Sequence, residues 1–198
     1  CTQPGSDEPY KAELPTGITE TDIFVAPVEG ISDDFIRGMD VSSVLAEEAS
    51  GVKYYNEKGE EEDLFKILAD AGINYIRVRV WNDPFDKEGN GYGGGNCDIE
   101  NAVKVGERAT KYGMKLLVNF HYSDFWADPG KQIIPKAWAS FGIDEMEEAV
   151  YSFTKSCLEK ACAEDVAPTF IQVGNEITNG MLWPVGRLTE GESGERGN

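Results

Sequence analysis

A carboxylic acid beside an amide, Asn175-Glu176, stands at the end of a short apolar segment in this 198-residue sequence. The segment PTFIQVGNEI, residues 168–177, has the composition of a buried strand. A glutamate at a strand end can hold a proton when its surroundings raise its pKa, and it can then act as a general acid. We therefore expect Glu176 to be a proton donor, in chemistry such as glycoside hydrolysis that needs a second carboxylate about 5–5.5 Å away.

Two arginines and a tryptophan alternate with aliphatic residues in a second apolar segment, INYIRVRVW, residues 73–81. Alternation places Arg77, Arg79 and Trp81 on one face of a strand and the aliphatic residues on the other. A buried arginine is unfavourable unless it is paired. We predict that both arginines meet carboxylates, with Glu176 as one candidate, while an exposed strand face with scattered cations remains the alternative.

A third group of chemically active residues lies in HYSDFWADPGKQ, residues 121–132, which combines His121, Asp124, Trp126 and Asp128. A sugar suits this combination, because its CH-rich face stacks on indole and its hydroxyls need acceptors. His121 is the only histidine and could instead be a core residue, but its position at a strand end favours the site. One histidine, and cysteines without a C-x-x-C pair, argue against any metal ligands.

Strand-like and helix-like segments alternate from residue 35 onward. Strands are predicted at residues 35–43, 73–81, 114–123 and 168–177, and helices at residues 60–71, 99–112 and 144–165. Asp144 and Glu147 have the spacing of a capping box at the start of the last helix. This alternation predicts a parallel α/β sheet, either doubly wound or closed into a barrel. The loops rich in Trp, Tyr and Asp, with no glycine-rich phosphate turn, favour the barrel.

The number of strands limits how much of a barrel the chain can form. Four strands are used by residue 177, whereas a TIM (β/α)8 barrel has eight strands and typically takes about 250 residues. Residues 178–198 offer few apolar positions for a further helix. We expect residues 1–34 to be an N-terminal tether and lead-in, and residues 35–198 to hold about the first four βα units of a truncated barrel.

Charge and the N-terminus bear on partners and location. With 18 Lys plus Arg against 36 Asp plus Glu, the net charge is −18, which argues against nucleic acid as a partner. The sequence begins at Cys1 and continues with a polar stretch to residue 17. Mature bacterial lipoproteins begin at a lipid-modified cysteine, so we expect a lipid anchor and an extracellular or cell-surface location. An arbitrary start of the sequence is the alternative.

Together, several motifs resemble glycoside hydrolase family 53, the arabinogalactan endo-β-1,4-galactanases. These motifs are GMDVSS, NYIRVRVWNDP, GYGGGNCD, HYSDFWADPGKQ with PKAW, and QVGNEITNGMLWP. The match runs from about residue 35 to about residue 182 and resembles the N-terminal half of the family's barrel. It implies a secreted, monomeric glycosidase that cleaves β-1,4-galactan and type I arabinogalactan, the side chains of pectin, with retention and without a required cofactor.

The resemblance also implies roles for individual residues. Glu176 matches the acid/base, and Asn175 matches the amide that hydrogen-bonds the sugar 2-hydroxyl. His121 and Arg79 match residues around the nucleophile and the cleaved sugar. The other substrate-binding residues implied are Arg77, Trp81, Asp40, Asp124, Trp126 and Trp138. Asn119 departs from the family, where an acidic residue is usual.

The resemblance places the nucleophilic glutamate, and the loop where bacterial members often bind calcium, in the second half of the barrel. We therefore expect this chain alone to have negligible activity, and calcium to bind only in that second half. Two alternatives stay open: a non-catalytic galactan-binding surface lipoprotein, and a related barrel glycosidase acting on another β-glycan such as mannan or cellulose. The HYSDFWADPGKQ motif argues against the second of these.

Overall fold

Four parallel strands form one sheet, in the order β1-β2-β3-β4, in a computed structural model that describes residues 28–188. The strands are β1 Gly38–Asp40, β2 Tyr75–Val80, β3 Lys115–Phe120 and β4 Phe170–Val173. The helices are α1 Val44–Ala49, α2 Leu64–Asp70, α3 Ile99–Lys111 and α4 Ile143–Ala163, with a 3-10 turn at Lys136–Trp138. The predicted tether, Cys1 included, lies outside the described residues. Within residues 28–188, none of the helices has the length and apolar character needed to cross a membrane.

The predicted alternation of strands and helices is confirmed, with two differences. Helix α1 was not predicted, because six residues are too few to show a helical period. The predicted capping box of α4 was wrong: the helix begins one residue earlier, and Glu145 Oε2 accepts a hydrogen bond from Gly142 N at 2.9 Å. The carboxylate that caps this helix is therefore Glu145 and not Glu147.

Side-chain alternation gives the sheet an aliphatic face and a polar face. Ile76, Val78 and Val80 of β2 are each at most 1% exposed and belong to the hydrophobic core, to which the helices contribute their buried residues. Arg77 and Arg79 alternate with them and so lie on the opposite face. This confirms the predicted division of β2 and leaves the polar face free to carry a site.

Strand β4 forms an open edge of the described sheet. Within residues 28–188 it pairs only with β3. Phe170, Ile171 and Val173 are 44%, 42% and 53% exposed. Strands of parallel sheets are normally covered on both faces, which is why their sequences are apolar throughout. The composition of β4 is thus that of an interior strand.

One arginine holds the helices on the aliphatic side together. Arg108 of α3 forms two hydrogen bonds with Glu48, at 2.7 and 2.8 Å, and one with Asp63 Oδ1 at 2.8 Å. Its guanidinium also lies 4.4 Å from the centre of the Phe65 ring. Asp63 in turn caps α2 by accepting from Phe65 N at 3.0 Å. Arg108 therefore fixes the end of α1 and the start of α2 relative to α3.

Arg108→Met should lower the free energy of unfolding of the full chain by about 1–2 kcal/mol, because it leaves the Glu48 and Asp63 carboxylates without their partner. Urea unfolding monitored by circular dichroism measures the change. Lys53→Met is the matched control, since the Lys53–Glu61 pair is more than half exposed on both sides. The control should change stability by less than about 0.5 kcal/mol. Equal losses in the two variants would contradict a special role for Arg108.

Candidate active site

An ion-paired cluster lies at the carboxyl ends of β1 and β2. Asp40 Oδ2 lies 2.5 Å from Arg77 Nη1, and Asp40 Oδ1 lies 3.7 Å from Arg79 Nη1. The predicted pairing of both arginines with a carboxylate is therefore confirmed for Asp40. The suggested pairing with Glu176 was wrong, since within residues 28–188 the Glu176 carboxylate forms no ion pair. Asp40 is the partner of the arginines because β1, which carries it, pairs directly with β2.

Asp40 is held in its charged form. Burial acts to raise the pKa of its carboxyl group, but hydrogen bonds from the Ser42 hydroxyl and backbone, the Arg79 charge and a hydrogen bond from Arg77 outweigh burial and lower the pKa below its usual value. The Ser42 hydroxyl and N–H both donate to Asp40 Oδ1, at 2.6 and 3.0 Å. Asp40 therefore serves as a fixed counterion and not as a proton donor.

His121 lies beside this cluster and is neutral. It is 1% exposed, and its Nδ1 accepts a hydrogen bond from Ala127 N at 3.2 Å, which places the ring proton on Nε2. Burial, together with the positive charges of Arg79 and Arg77, lowers the pKa of His121 to about 4. At neutral pH this imidazole is an uncharged hydrogen-bond donor whose tautomer is fixed by Ala127 N.

Asn119 connects the ends of β2, β3 and β4. This amide is fully buried, and its oxygen accepts from Arg77 Nη2 at 2.6 Å and from His121 Nε2 at 3.2 Å in the orientation that satisfies these two donors. Its nitrogen then donates to Gly174 O at 3.1 Å. A carboxylate at this position could accept both hydrogen bonds but could not donate to Gly174. Asparagine at position 119 thus brings no negative charge and adds a link to the chain just after β4.

Asn175 and Glu176 follow β4 and differ in how strongly their side chains are restrained. The Asn175 side chain is fixed, because its Nδ2 donates to Ala127 O at 2.8 Å and its Oδ1 accepts from Arg77 Nη2 at 3.3 Å. Glu176 is exposed and has a left-handed backbone, with φ of 53°. An immobilised amide therefore lies beside an exposed carboxyl group at the end of β4.

An aromatic platform borders the cluster on the side of the loop after β3. The Arg79 guanidinium lies 4.2 Å from the centre of the Trp126 ring, which is 36% exposed. Trp81 is fully buried, and its ring centre lies 5.6 Å from that of Trp126 and 4.9 Å from that of Phe125. The expectation that Trp81 contacts substrate does not fit this burial. Trp81 supports Trp126, which offers the accessible face.

The contacts of Asp124 and Trp138 are with other loops and with α4, and not with the cluster around Asp40. Asp124 accepts hydrogen bonds from Asp83 N at 3.1 Å and from Lys136 N at 2.8 Å, so its carboxylate joins two loops. Trp138 is 7% exposed and packs against Phe153 of α4, with ring centres 6.0 Å apart. Both residues position the loops around the site, although the sequence predicted that they line a groove.

Two buried amides, Asn119 and Gln132, were not predicted as functional residues. Alternation along β3 places Asn119 on the same face as His121, and this signal was present in the sequence. Gln132 carries no local signal, since it lies in an irregular loop at the end of HYSDFWADPGKQ. Among residues 28–188, no group of three or more His, Cys, Asp or Glu side chains could hold a metal ion.

The sequence profile described as glycosyl hydrolase family 53 matches residues 36–194. An endo-beta-1,4-galactanase of Bacillus subtilis is 54% identical over 160 residues, which are 81% of this chain and 37% of that protein. An arabinogalactan endo-beta-1,4-galactanase of Humicola insolens is 38% identical over 151 residues, which are 76% of this chain and 43% of that protein. The chain thus spans about two fifths of the length of these curated relatives.

The fold is similar to that of a solved structure, the Ignisphaera aggregans GH53 catalytic domain. The TM-score is 0.81 at 47% identity, and the match covers 83% of this chain and 46% of that one. The prediction of a partial (β/α)8 barrel is therefore confirmed. The open edge at β4 has a simple reason in this fold, because a complete barrel continues with a fifth strand there.

Proposed function

The chain belongs to glycosyl hydrolase family 53, and we propose on that basis that it supplies the acid/base half of a retaining endo-β-1,4-galactanase. The observation that carries this proposal is the open Glu176 carboxyl beside the immobilised Asn175 amide at the end of β4. The names of the relatives, endo-beta-1,4-galactanase and arabinogalactan endo-beta-1,4-galactanase, support the choice of substrate. Other barrel glycosidases would share the carboxyl group but not these relatives.

Glu176 would act twice in each reaction cycle. It first donates its proton to the glycosidic oxygen as the bond to the leaving sugar breaks, and it then accepts a proton from the water that releases the glycosyl intermediate. Asn175 would donate to or accept from the sugar 2-hydroxyl, next to the bond that is cleaved. A second carboxylate, about 5–5.5 Å from Glu176, must attack the anomeric carbon from the other side.

We propose that this nucleophile comes from a strand beyond β4. Asp40 is the carboxylate that pairs with both arginines, but Arg77 and Arg79, together with the Ser42 hydroxyl, hold it as a counterion. A carboxylate so strongly paired is a poor nucleophile, because attack would remove the negative charge that both guanidinium groups need. Arg77 and Arg79 would instead keep the local potential positive, which favours a charged nucleophile nearby.

Trp126 would provide the sugar platform. A β-galactosyl unit has an axial 4-hydroxyl, which leaves the CH groups of one ring face free to stack on an aromatic side chain. Arg79 lies against the Trp126 ring and restrains it. A location outside the cell remains part of the proposal, because a polymeric galactan is too large to reach an enzyme enclosed by a membrane.

The purified 198-residue chain should bind β-1,4-galactotetraose without releasing shorter galacto-oligosaccharides, because in the proposed mechanism it supplies the acid/base and not the nucleophile. Isothermal titration and product chromatography measure the two properties. Trp126→Ala should weaken binding roughly tenfold through loss of stacking. Tyr151→Ala is the control, since Tyr151 is 61% exposed on α4 and should leave binding unchanged.

Two results would overturn the proposal. Clear release of galacto-oligosaccharides by the chain alone would show that it holds both carboxylates. Tighter binding of mannan or cellulose oligosaccharides than of galactotetraose would show that the substrate is another β-glycan.

A further inference from the structure

Gln132 is a buried amide in the loop after β3, with 2% of its surface exposed. Burial of a primary amide is unfavourable unless its N–H groups find acceptors. Its Nε2 donates to Asn175 O at 2.7 Å and to Asp128 O at 3.2 Å, and Glu176 O lies 3.5 Å away. The backbone carbonyl of Gln132 also accepts a hydrogen bond from Trp183 N at 2.6 Å. Gln132 therefore contacts the chain after β4 on both sides of Glu176.

The Asn175 and Glu176 carbonyl groups belong to the two peptide planes that flank the Glu176 Cα. Rotation of the first plane changes φ of Glu176, and rotation of the second changes ψ. One amide in contact with both planes restricts both dihedral angles, and so it restricts the direction of the Cα–Cβ bond. Gln132 thus acts on the direction of the Glu176 side chain through the backbone and not through the carboxylate.

Glu176 needs such a restraint because strand pairing does not reach it. The β3–β4 ladder ends with the pair Phe120 and Val173. Beyond it, Gly174 and Glu176 both have positive φ, at 77° and 53°. A left-handed backbone is sparsely populated by residues other than glycine, and it persists only where the surroundings fix it. The hydrogen bonds of Gln132 to the Asn175 and Glu176 carbonyl groups are the contacts that act on the two peptide planes beside the Glu176 Cα beyond the ladder.

We propose that Gln132 is a positioning residue that holds the backbone of Glu176 in its left-handed conformation and thereby aims the carboxyl group at the scissile bond. The direction of the Glu176 carboxyl group matters because of its acid/base role in the proposed function, on which this inference rests. A proton donor must lie within about 2.6–3.2 Å of the oxygen that it protonates. Rotation about the Glu176 backbone would move the carboxyl group out of that range.

The first test uses the unmodified full chain, labelled with ²H, ¹³C and ¹⁵N, in solution NMR. We expect a through-hydrogen-bond coupling between the Gln132 side-chain nitrogen and the Asn175 carbonyl carbon. We also expect Glu176 Cα and Cβ chemical shifts typical of a left-handed residue. A right-handed or averaged Glu176 together with no coupling would overturn the proposal, and this measurement depends on no variant.

Gln132→Met and Gln132→Glu then remove the donor while keeping the side-chain length. In either variant, the Glu176 Cα and Cβ shifts should leave their left-handed values. Ser123→Ala is the matched control, because Ser123 is 2% exposed in the same loop and donates only to Phe125 O. The control should lower the melting temperature without moving the Glu176 shifts.

Two measurements distinguish the positioning role of Gln132 from a purely structural role, and test it separately from the proposed function. Unchanged Glu176 shifts in a folded Gln132 variant would show that Gln132 only stabilises the loop, and this would overturn the inference. Galactotetraose titration of the same samples tests the proposed function separately. A failure to bind would contradict that function, whereas displacement of Glu176 in the Gln132 variants would still support positioning.

Discussion

Glu176→Gln should lower kcat for galactan cleavage by about a thousandfold, because an amide cannot supply the proton that the leaving oxygen needs. The reaction requires a complete barrel, so the measurement uses a chimera. In this chimera, residues 36–188 replace the stretch of the Bacillus subtilis relative that they match. KM should change far less than kcat, since Trp126 and Arg79 remain to bind the sugar.

The matched control for this result is Glu159→Gln. Glu159 is a carboxylate of α4 whose side chain is 69% exposed, and its loss should leave kcat unchanged. Substrates with a good leaving group need little protonation for the glycosidic bond to break, so kcat/KM of the Glu176 variant should fall much less on an aryl β-galactobioside than on galactan. An equal loss of kcat/KM on galactan and on the aryl substrate would show that Glu176 does not act as the acid.

His121 should make the stability of the full chain depend on pH between about 6.5 and 4. Its folded pKa, about 4, lies below the ordinary value of 6.5, because burial and the charges of Arg79 and Arg77 oppose protonation. The unfolded chain therefore binds the proton first as the pH falls. Stability is complete above pH 6.5, declines toward pH 4, and levels off below that. The total loss is about 3 kcal/mol.

His121→Gln tests this prediction, because glutamine keeps a hydrogen-bonding side chain but does not titrate. Urea unfolding at intervals from pH 7 to pH 4 should show a smaller decline in the variant than in the unmodified chain, by about 3 kcal/mol. Asp40 does not interfere with this measurement. Because its pKa is lowered, its contribution to the stability of the chain is lost only as the pH falls below the ordinary carboxylate range. Parallel stability curves for the two proteins would contradict a buried neutral His121.

The sequence predicted those features that follow from local periodicity. The alternation in INYIRVRVW separated Arg77 and Arg79 from the aliphatic face, and burial of Ile76, Val78 and Val80 agrees with it. The need for a carboxylate near the arginines was also predictable, because an unpaired buried guanidinium is unfavourable. That the partner would be Asp40 depends on the pairing of β1 with β2, which periodicity does not specify.

The roles of the loop residues could not be predicted in the same way. Asp124, Trp81 and Trp138 stand in motifs that contain the right chemistry for sugar binding. Their side chains instead meet groups distant in sequence: Asp124 accepts from Asp83 N and Lys136 N, and Trp138 packs against α4. The contacts that a loop side chain makes depend on which other loops pack against it, and the composition of the loop does not predict this packing.

The site is built so that its fixed parts are neutral or paired while its reactive part is free. Asp40 pairs with both arginines, and His121 is held as a neutral donor. Asn119 and Asn175 link the strand ends through amides that carry no charge. Glu176 is the exposed exception, and proton transfer at its carboxyl would change the charge of the site without disturbing the pairs around it.

The most direct test of the acid/base assignment is the stereochemistry of azide rescue. In the chimera, Glu176→Ala should hydrolyse 2,4-dinitrophenyl β-galactobioside slowly, because the glycosyl intermediate forms but no base activates water. Added azide needs no base and should attack the intermediate, giving the β-galactobiosyl azide and a faster turnover. An α-galactobiosyl azide would identify Glu176 as the nucleophile, and no azide product with unchanged hydrolysis would remove it from the catalytic pair.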